Sequence, residues 1–281
     1  MKSINRKIIL SIAAGLLCFF LSHYGIEIKW DAIDINLPWS ILFPIIISLS
    51  YGWKFGLISG LSGGALFPFY LWLDNGLSNF VTFLIYLNFY MLLGLINHDI
   101  FCKKIKNYFL RTLILLFSAL IVYKLYYTFL FNHLLALNPY VFKDAITHMP
   151  QEIIDSFFVK DSINFTAYLI VANVLLKIPQ INKFLGLDVS PYSSRNTFIF
   201  LMSLGISIFI WLSFTVLGHA LLRGENVLRR EHITLALLVI VTSGFITSLI
   251  IIYFSESQIR DLGKLNESEG RFKVIINTSP I

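Results

Sequence analysis

Eight apolar runs, near residues 7–25, 38–52, 54–73, 79–97, 108–131, 163–178, 196–219 and 232–254, take up most of this chain. A bilayer core about 30 Å thick calls for roughly 20 apolar residues per helix, so these runs predict membrane spans. Charged residues make up only 14% of the sequence, against about 25% in an ordinary soluble domain. That much apolar surface does not fit inside one aqueous core, and lipid must solvate a large share of it. The expected fold is all-α: a polytopic transmembrane helix bundle of about eight helices. The second and sixth runs are short. Only Gly52-Trp53-Lys54 separates the second from the third, which predicts a very tight turn.

Loop charges give the expected orientation. Lys2, Arg6 and Lys7 precede the first run, Lys103, Lys104, Lys106 and Arg111 follow the fourth, and Lys177, Lys183 and Arg195 flank the loop after the sixth. Basic residues gather on the cytoplasmic side. An even helix count then places both termini in the cytoplasm of a cell whose inner membrane holds the chain. Glu27, Asp31, Asp34, Asp74 and the 132–162 segment fall outside. The 220–231 loop breaks the rule, because Arg223, Arg229 and Arg230 fall outside as well; Glu225 and Glu231 partly neutralise them.

The N-terminal run resembles a signal sequence in charge and length but lacks a small-residue cleavage site, so it is read as an uncleaved first helix. Cys18 sits in an apolar run and Cys102 near a basic loop, so no disulfide is expected between them. Within 139–162, Met149, Ile153, Ile154, Phe157 and Phe158 recur at helical spacing among Gln151, Glu152, Asp155 and Ser156. This pattern predicts a helix lying on the outer membrane surface.

Several residues are candidates for chemistry, each with a plainer alternative. Lys124 is the clear charge inside a spanning run, and an intramembrane charge is costly and often functional. Tyrosines around it also mark the interface, where a lysine can snorkel to the headgroups. Asp74, on the same expected side, is its candidate partner for a ligand site. Trp30 and Trp39 could line a binding mouth in the first outer loop or serve as interface anchors. Gly52, Gly56, Gly60 and Gly64 fall four apart and predict a face where another helix packs closely. Gly63, Gly64 and Pro68 could also loosen that helix around a ligand.

His98 and Cys102 stand at a usable metal spacing, but two ligands are too few. His133, His148, His219 and His232 are grouped only by their expected side. No metal or cofactor is therefore expected. The sequence holds no nucleophile elbow, phosphate-binding glycine loop, metalloprotease motif or kinase catalytic loop.

After the last run, Ser255 to Glu269 turns polar and charged, with Ile259, Leu262 and Leu265 as spaced apolar positions. That suits a linker helix over 255–270 that pairs with its twin in a homodimer. Glu269-Gly-Arg-Phe-Lys-Val-Ile-Ile-Asn-Thr-Ser-Pro-Ile281 then resembles the entry into a PAS domain, covering 271–281. The resemblance implies a bacterial signalling protein of the histidine kinase or diguanylate cyclase type. It makes residues 1–254 a transmembrane sensor domain, and any enzyme activity would belong to a following module. The expected function is a sensory input domain for an unknown small ligand, lipid or membrane state. The alternatives are a small transporter or substrate-capture protein and, more remotely, a membrane transferase. No nucleic-acid partner is expected, since the basic residues do not share one soluble face.

Overall fold

A computed structural model describes residues 2–30, 33–105, 108–142, 146–187 and 193–221. It further describes 240, 243–244, 247, 250–255, 257–259, 261–263, 265 and 267–269. The chain divides into two compact units, residues 1–176 and 177–281.

In the first unit, α1 (Lys2–Leu21) is followed by a two-stranded antiparallel hairpin, β1 (Ile26–Trp30) and β2 (Ile33–Leu37). The sequence reading had no strand here. The segment nonetheless alternates apolar and polar residues with a period of two, which is a strand pattern. Then come α2 (Leu42–Tyr51), α3 (Trp53–Ser59), the short α4 (Pro68–Leu71), α5 (Asn79–Leu95), α6 (Asp99–Lys104), α7 (Tyr108–Phe129), α8 (Phe131–Ala136) and α9 (Gln151–Leu175). α1, α2, α3 and α5 pack on one another, and α5, α7 and α9 continue the bundle.

Among the described residues, three helical segments are long and apolar enough to cross a membrane: Ile4–Tyr24, Leu73–Leu95 and Ile114–Tyr140. A fourth is counted if Gln151–Leu175 and Pro179–Leu185 form one span. The first, fourth and fifth predicted runs thus correspond to long helices. The second gives only the short apolar helix Trp39–Tyr51.

The third run departs most from expectation. It is a broken segment and not one helix. α3 ends at Ser59, a π-type turn covers Gly60–Gly64, and the chain turns again before α4. Gly63 has φ +148°, a conformation that side chains other than glycine's rarely permit. The tight turn ahead of it matches the sequence reading, since Gly52, with φ +93°, ends α2 and Trp53 begins α3.

The expected surface helix and the sixth span are joined in the single helix α9. No glycine or proline interrupts 151–175. Ile154, Asp161, Phe165, Leu169 and Ala172, which recur at helical spacing, are all buried. The same face therefore runs through both halves.

The second unit holds α10 (Pro179–Leu185) and α11 (Ser193–Leu221). Gly186, in the left-handed conformation, closes α10. Gly244 lies so close to Ser207 of α11 that a Cβ there would sit 1.8 Å from the Ser207 Oγ. The basic 222–231 stretch and the PAS-like residues 271–281 lie outside the described residues.

Candidate functional site

The break in 53–71 frees backbone groups that a continuous helix would use, and a low-dielectric setting makes such groups costly. Two side chains take up the Gly64 carbonyl: the Tyr90 hydroxyl donates to it at 2.9 Å, and the Cys18 thiol approaches at 3.7 Å. The neighbours are equally close. A Cβ at Gly56 would lie 2.8 Å from the Tyr90 carbonyl oxygen, and one at Gly60 would lie 2.7 Å from Leu87 Cδ1. At Gly64 it would lie 2.6 Å from Pro44 Cγ, and at Gly52 3.7 Å from the Gly94 carbonyl oxygen. Gly52, Gly56 and Gly60 flank or belong to α3, but the break at Gly63 separates Gly64 from that continuous face.

Lys124 does not meet Asp74. It pairs with Asp155 at 2.6 Å, and its ammonium stands 5.4 Å from the centre of the Phe158 ring. Both partners are nearly half exposed. Asp155 belongs to the polar first turns of α9, ahead of its apolar part. The Lys124 ammonium, helped by the Gln151 amide, holds its carboxyl below the usual carboxylate range. Asp74 is exposed, and its backbone carbonyl accepts from the Ile146 amide at 3.1 Å. The geometry favours a short-range tie between α7 and α9 over the expected Lys124–Asp74 pair.

Trp39 donates its indole N–H to the Tyr24 carbonyl at 2.9 Å, joining the two ends of the loop that carries the hairpin. Trp30 closes β1 opposite Ile33. Cys18 and Cys102 are free thiols. Among the described residues no group of three or more His, Cys, Asp or Glu side chains converges on a metal-sized site. His133 and His148 are exposed, and His232 lies outside the described residues.

The residue that stands out structurally is Asp161. It lies on α9 with 1% of its surface exposed. The Tyr127 hydroxyl, from α7, donates to its Oδ2 at 2.5 Å, and Thr82 of α5 approaches that same hydroxyl. The Lys160 ammonium is 3.5 Å from Oδ1. That is close enough for charge attraction, but the alignment leaves Oδ1 without a hydrogen bond. Lys160 is held instead over aromatic faces, 4.8 Å from the centre of Trp72 and 5.6 Å from that of Phe157.

Aromatic packing encloses the acid. The Phe165 ring, one helical turn further on α9, meets Phe89 at 4.2 Å, Tyr86 at 4.8 Å and Tyr123 at 4.9 Å. Each such contact adds roughly 0.5–1.5 kcal/mol beyond area burial. The hydroxyls of Tyr86 and Tyr123 and the Nδ2 of Asn164 are buried without a hydrogen-bond partner. Both tyrosines stand within electrostatic reach of Asp161. Buried polar groups are nearly always satisfied in native proteins. Tyr86, Tyr123 and Asn164, of which Asn164 lies three residues beyond Asp161 on α9, therefore leave unsatisfied polar atoms inside the same helix packing as the buried acid.

Sequence reading missed this buried acid. Treating 139–162 as a separate surface helix placed Asp161 in a solvated segment. The available signal was the four-residue series Phe157, Asp161, Phe165, which puts an acid on an aromatic helix face.

The chain defined by these features is a mainly helical protein with, among the described residues, three helical segments long and apolar enough to cross a membrane and a buried carboxylate inside the helix packing. Comparison with family models, curated proteins and solved structures finds no match.

Proposed function

We propose that the chain is the membrane-integral sensory input domain of a signal-transduction receptor. In this reading it crosses the inner membrane about eight times with both termini cytoplasmic. The final helix and the 255–270 linker relay an unknown stimulus to a PAS domain and output module. The observation that carries the proposal is the course of the chain after the last apolar run. Every described residue from Ile250 to Glu269 is helical, while the composition changes from apolar to charged. Helical residues that lead from an apolar run into a charged one can pass a shift or rotation to whatever follows them.

Leu262 and Leu265 also support the reading. They are 58% and 55% exposed in the single chain, as residues awaiting a second copy would be. The resemblance of 271–281 to a PAS entry supplies the output side. Binding is assigned to the bundle, where a ligand must favour one packing arrangement over another to act at all.

Asp161 favours a second reading, a small transporter or substrate-capture protein, because buried charges with free hydrogen-bonding groups also line transport sites. One experiment separates the two. A diguanylate cyclase module is fused after Ile281, and one to four residues are inserted in turn within 255–270. Output should rise and fall with a period of about 3.6 residues. A flat response, together with solute uptake by the same chain in proteoliposomes, would favour the transporter.

A further inference from the structure

We infer that the β1–β2 hairpin is a membrane-interface element that docks flat on the bilayer surface through one face, with phospholipid as its partner. The inference does not depend on the sensory reading.

The register carries it. The pairs Ile26–Leu37, Ile28–Ile35 and Trp30–Ile33 alternate with Glu27–Asn36 and Lys29–Asp34. Successive strand residues belong to opposite faces. One face of the hairpin is therefore assigned six apolar residues, and the other a lysine, two acids and an asparagine.

A two-stranded hairpin is marginal in water without a surface to cover its apolar face. The chain places such a surface beside it. β1 begins two residues after Tyr24, where the candidate span Ile4–Tyr24 ends. β2 ends two residues before Trp39, the start of the apolar helix Trp39–Tyr51. The Trp39–Tyr24 hydrogen bond ties the two ends together. Both feet of the hairpin thus stand at the ends of hydrophobic segments, which brings it to the level where a bilayer surface would lie.

Depth is bounded by hydrogen bonding. Two strands leave two open edges, and unpaired edge amides are not tolerated in hydrocarbon. The hairpin therefore lies among the headgroups, with its apolar face at the acyl boundary and its edges hydrated. Trp30 belongs to the apolar face, as expected of an interfacial anchor.

The test is a nitroxide scan of residues 26–37 in the full chain, in phosphatidylcholine–phosphatidylglycerol nanodiscs. Cys102 is replaced by serine, and the buried Cys18 is retained. Labels at 26, 28, 33, 35 and 37 should relax severalfold more with oxygen than with a water-soluble nickel chelate. Labels at 27, 29, 34 and 36 should show the reverse preference. Where labelling disturbs the hairpin, quenching of Trp30 fluorescence by shallow-brominated phospholipid, with Trp30→Phe as the blank, gives an independent reading. Three outcomes overturn the inference: no period-two alternation, apolar positions shielded from both reagents as a second copy would shield them, or no Trp30 quenching.

Discussion

Two regions of the first unit meet the same physical problem in opposite ways. At the broken segment 53–71, the Gly64 carbonyl left by the π-type turn is bonded by Tyr90 and approached by Cys18, and neighbouring backbones close over the glycines. Around Asp161, one helical turn from Phe165 in the aromatic core, polar atoms remain unpartnered. Orphaned polar groups cost stability; the first region leaves the Ser59 hydroxyl unpartnered as well, but supplies partners to the carbonyl that its break exposes. Unpaired hydroxyls beside a buried acid therefore set the second region apart, and the close glycine contacts mark the first as architecture.

The largest expected effect breaks the first region. A Cβ at Gly94 would lie 2.3 Å from the Trp53 backbone nitrogen, so α3 and α5 cannot keep their spacing in Gly94→Val. Overpacking against backbone should cost about 3 kcal/mol or more. Thermal unfolding in detergent checks this, and an unchanged midpoint would mean that the close approach is not needed.

The next effect tests the contrast itself. Asp161→Leu leaves Tyr127 and Lys160 without their acid and should cost about 2 kcal/mol. Tyr86→Phe and Tyr123→Phe each remove an unpaired hydroxyl and should be neutral or slightly stabilising. If both tyrosine variants destabilise as much as Asp161→Leu, the hydroxyls are ordinary structural partners and the contrast fails.

The smallest effect concerns Lys124 and Asp155. Since Lys124 and Gln151 hold the folded-state Asp155 below its usual range, the contact stabilises at neutral pH. That stabilisation fades as the pH falls through the depressed folded-state value, below the ordinary carboxylate pKa of about 3.9. Asp155→Asn should slightly flatten the acid limb of a stability–pH curve and leave neutral pH nearly unchanged. A marked loss at neutral pH would show that the pair does more than bridge two exposed positions.

Legibility followed the range of the interactions. The long helices and the turn at Gly52 were readable because hydrophobic run length and glycine punctuation are local signals. The glycine series was readable too, but not the break at Gly63: a π-type turn is tolerable only once Tyr90 and Cys18 arrive from other helices. α9 was split in two because its polar first turns resembled a surface helix, although no residue in 151–175 could end it. Lys124 is legible as a charge in an apolar run, yet its partner is Asp155 of α9 and not Asp74, because only the packing of α9 on α7 brings that acid within reach.

By itself, the sequence determined that the chain is predominantly helical and that several of its helices are long and apolar enough for a membrane. Composition and run length decide how much surface water can accept. Only the tertiary structure decided which polar residues are paired and which are stranded. Asp161 and Asp155 lie six positions apart on one helix, yet one is enclosed by Tyr127, Phe165 and Lys160 and the other is nearly half exposed beside Lys124. The surroundings of a side chain are built by segments distant in sequence, and no local pattern carries that information.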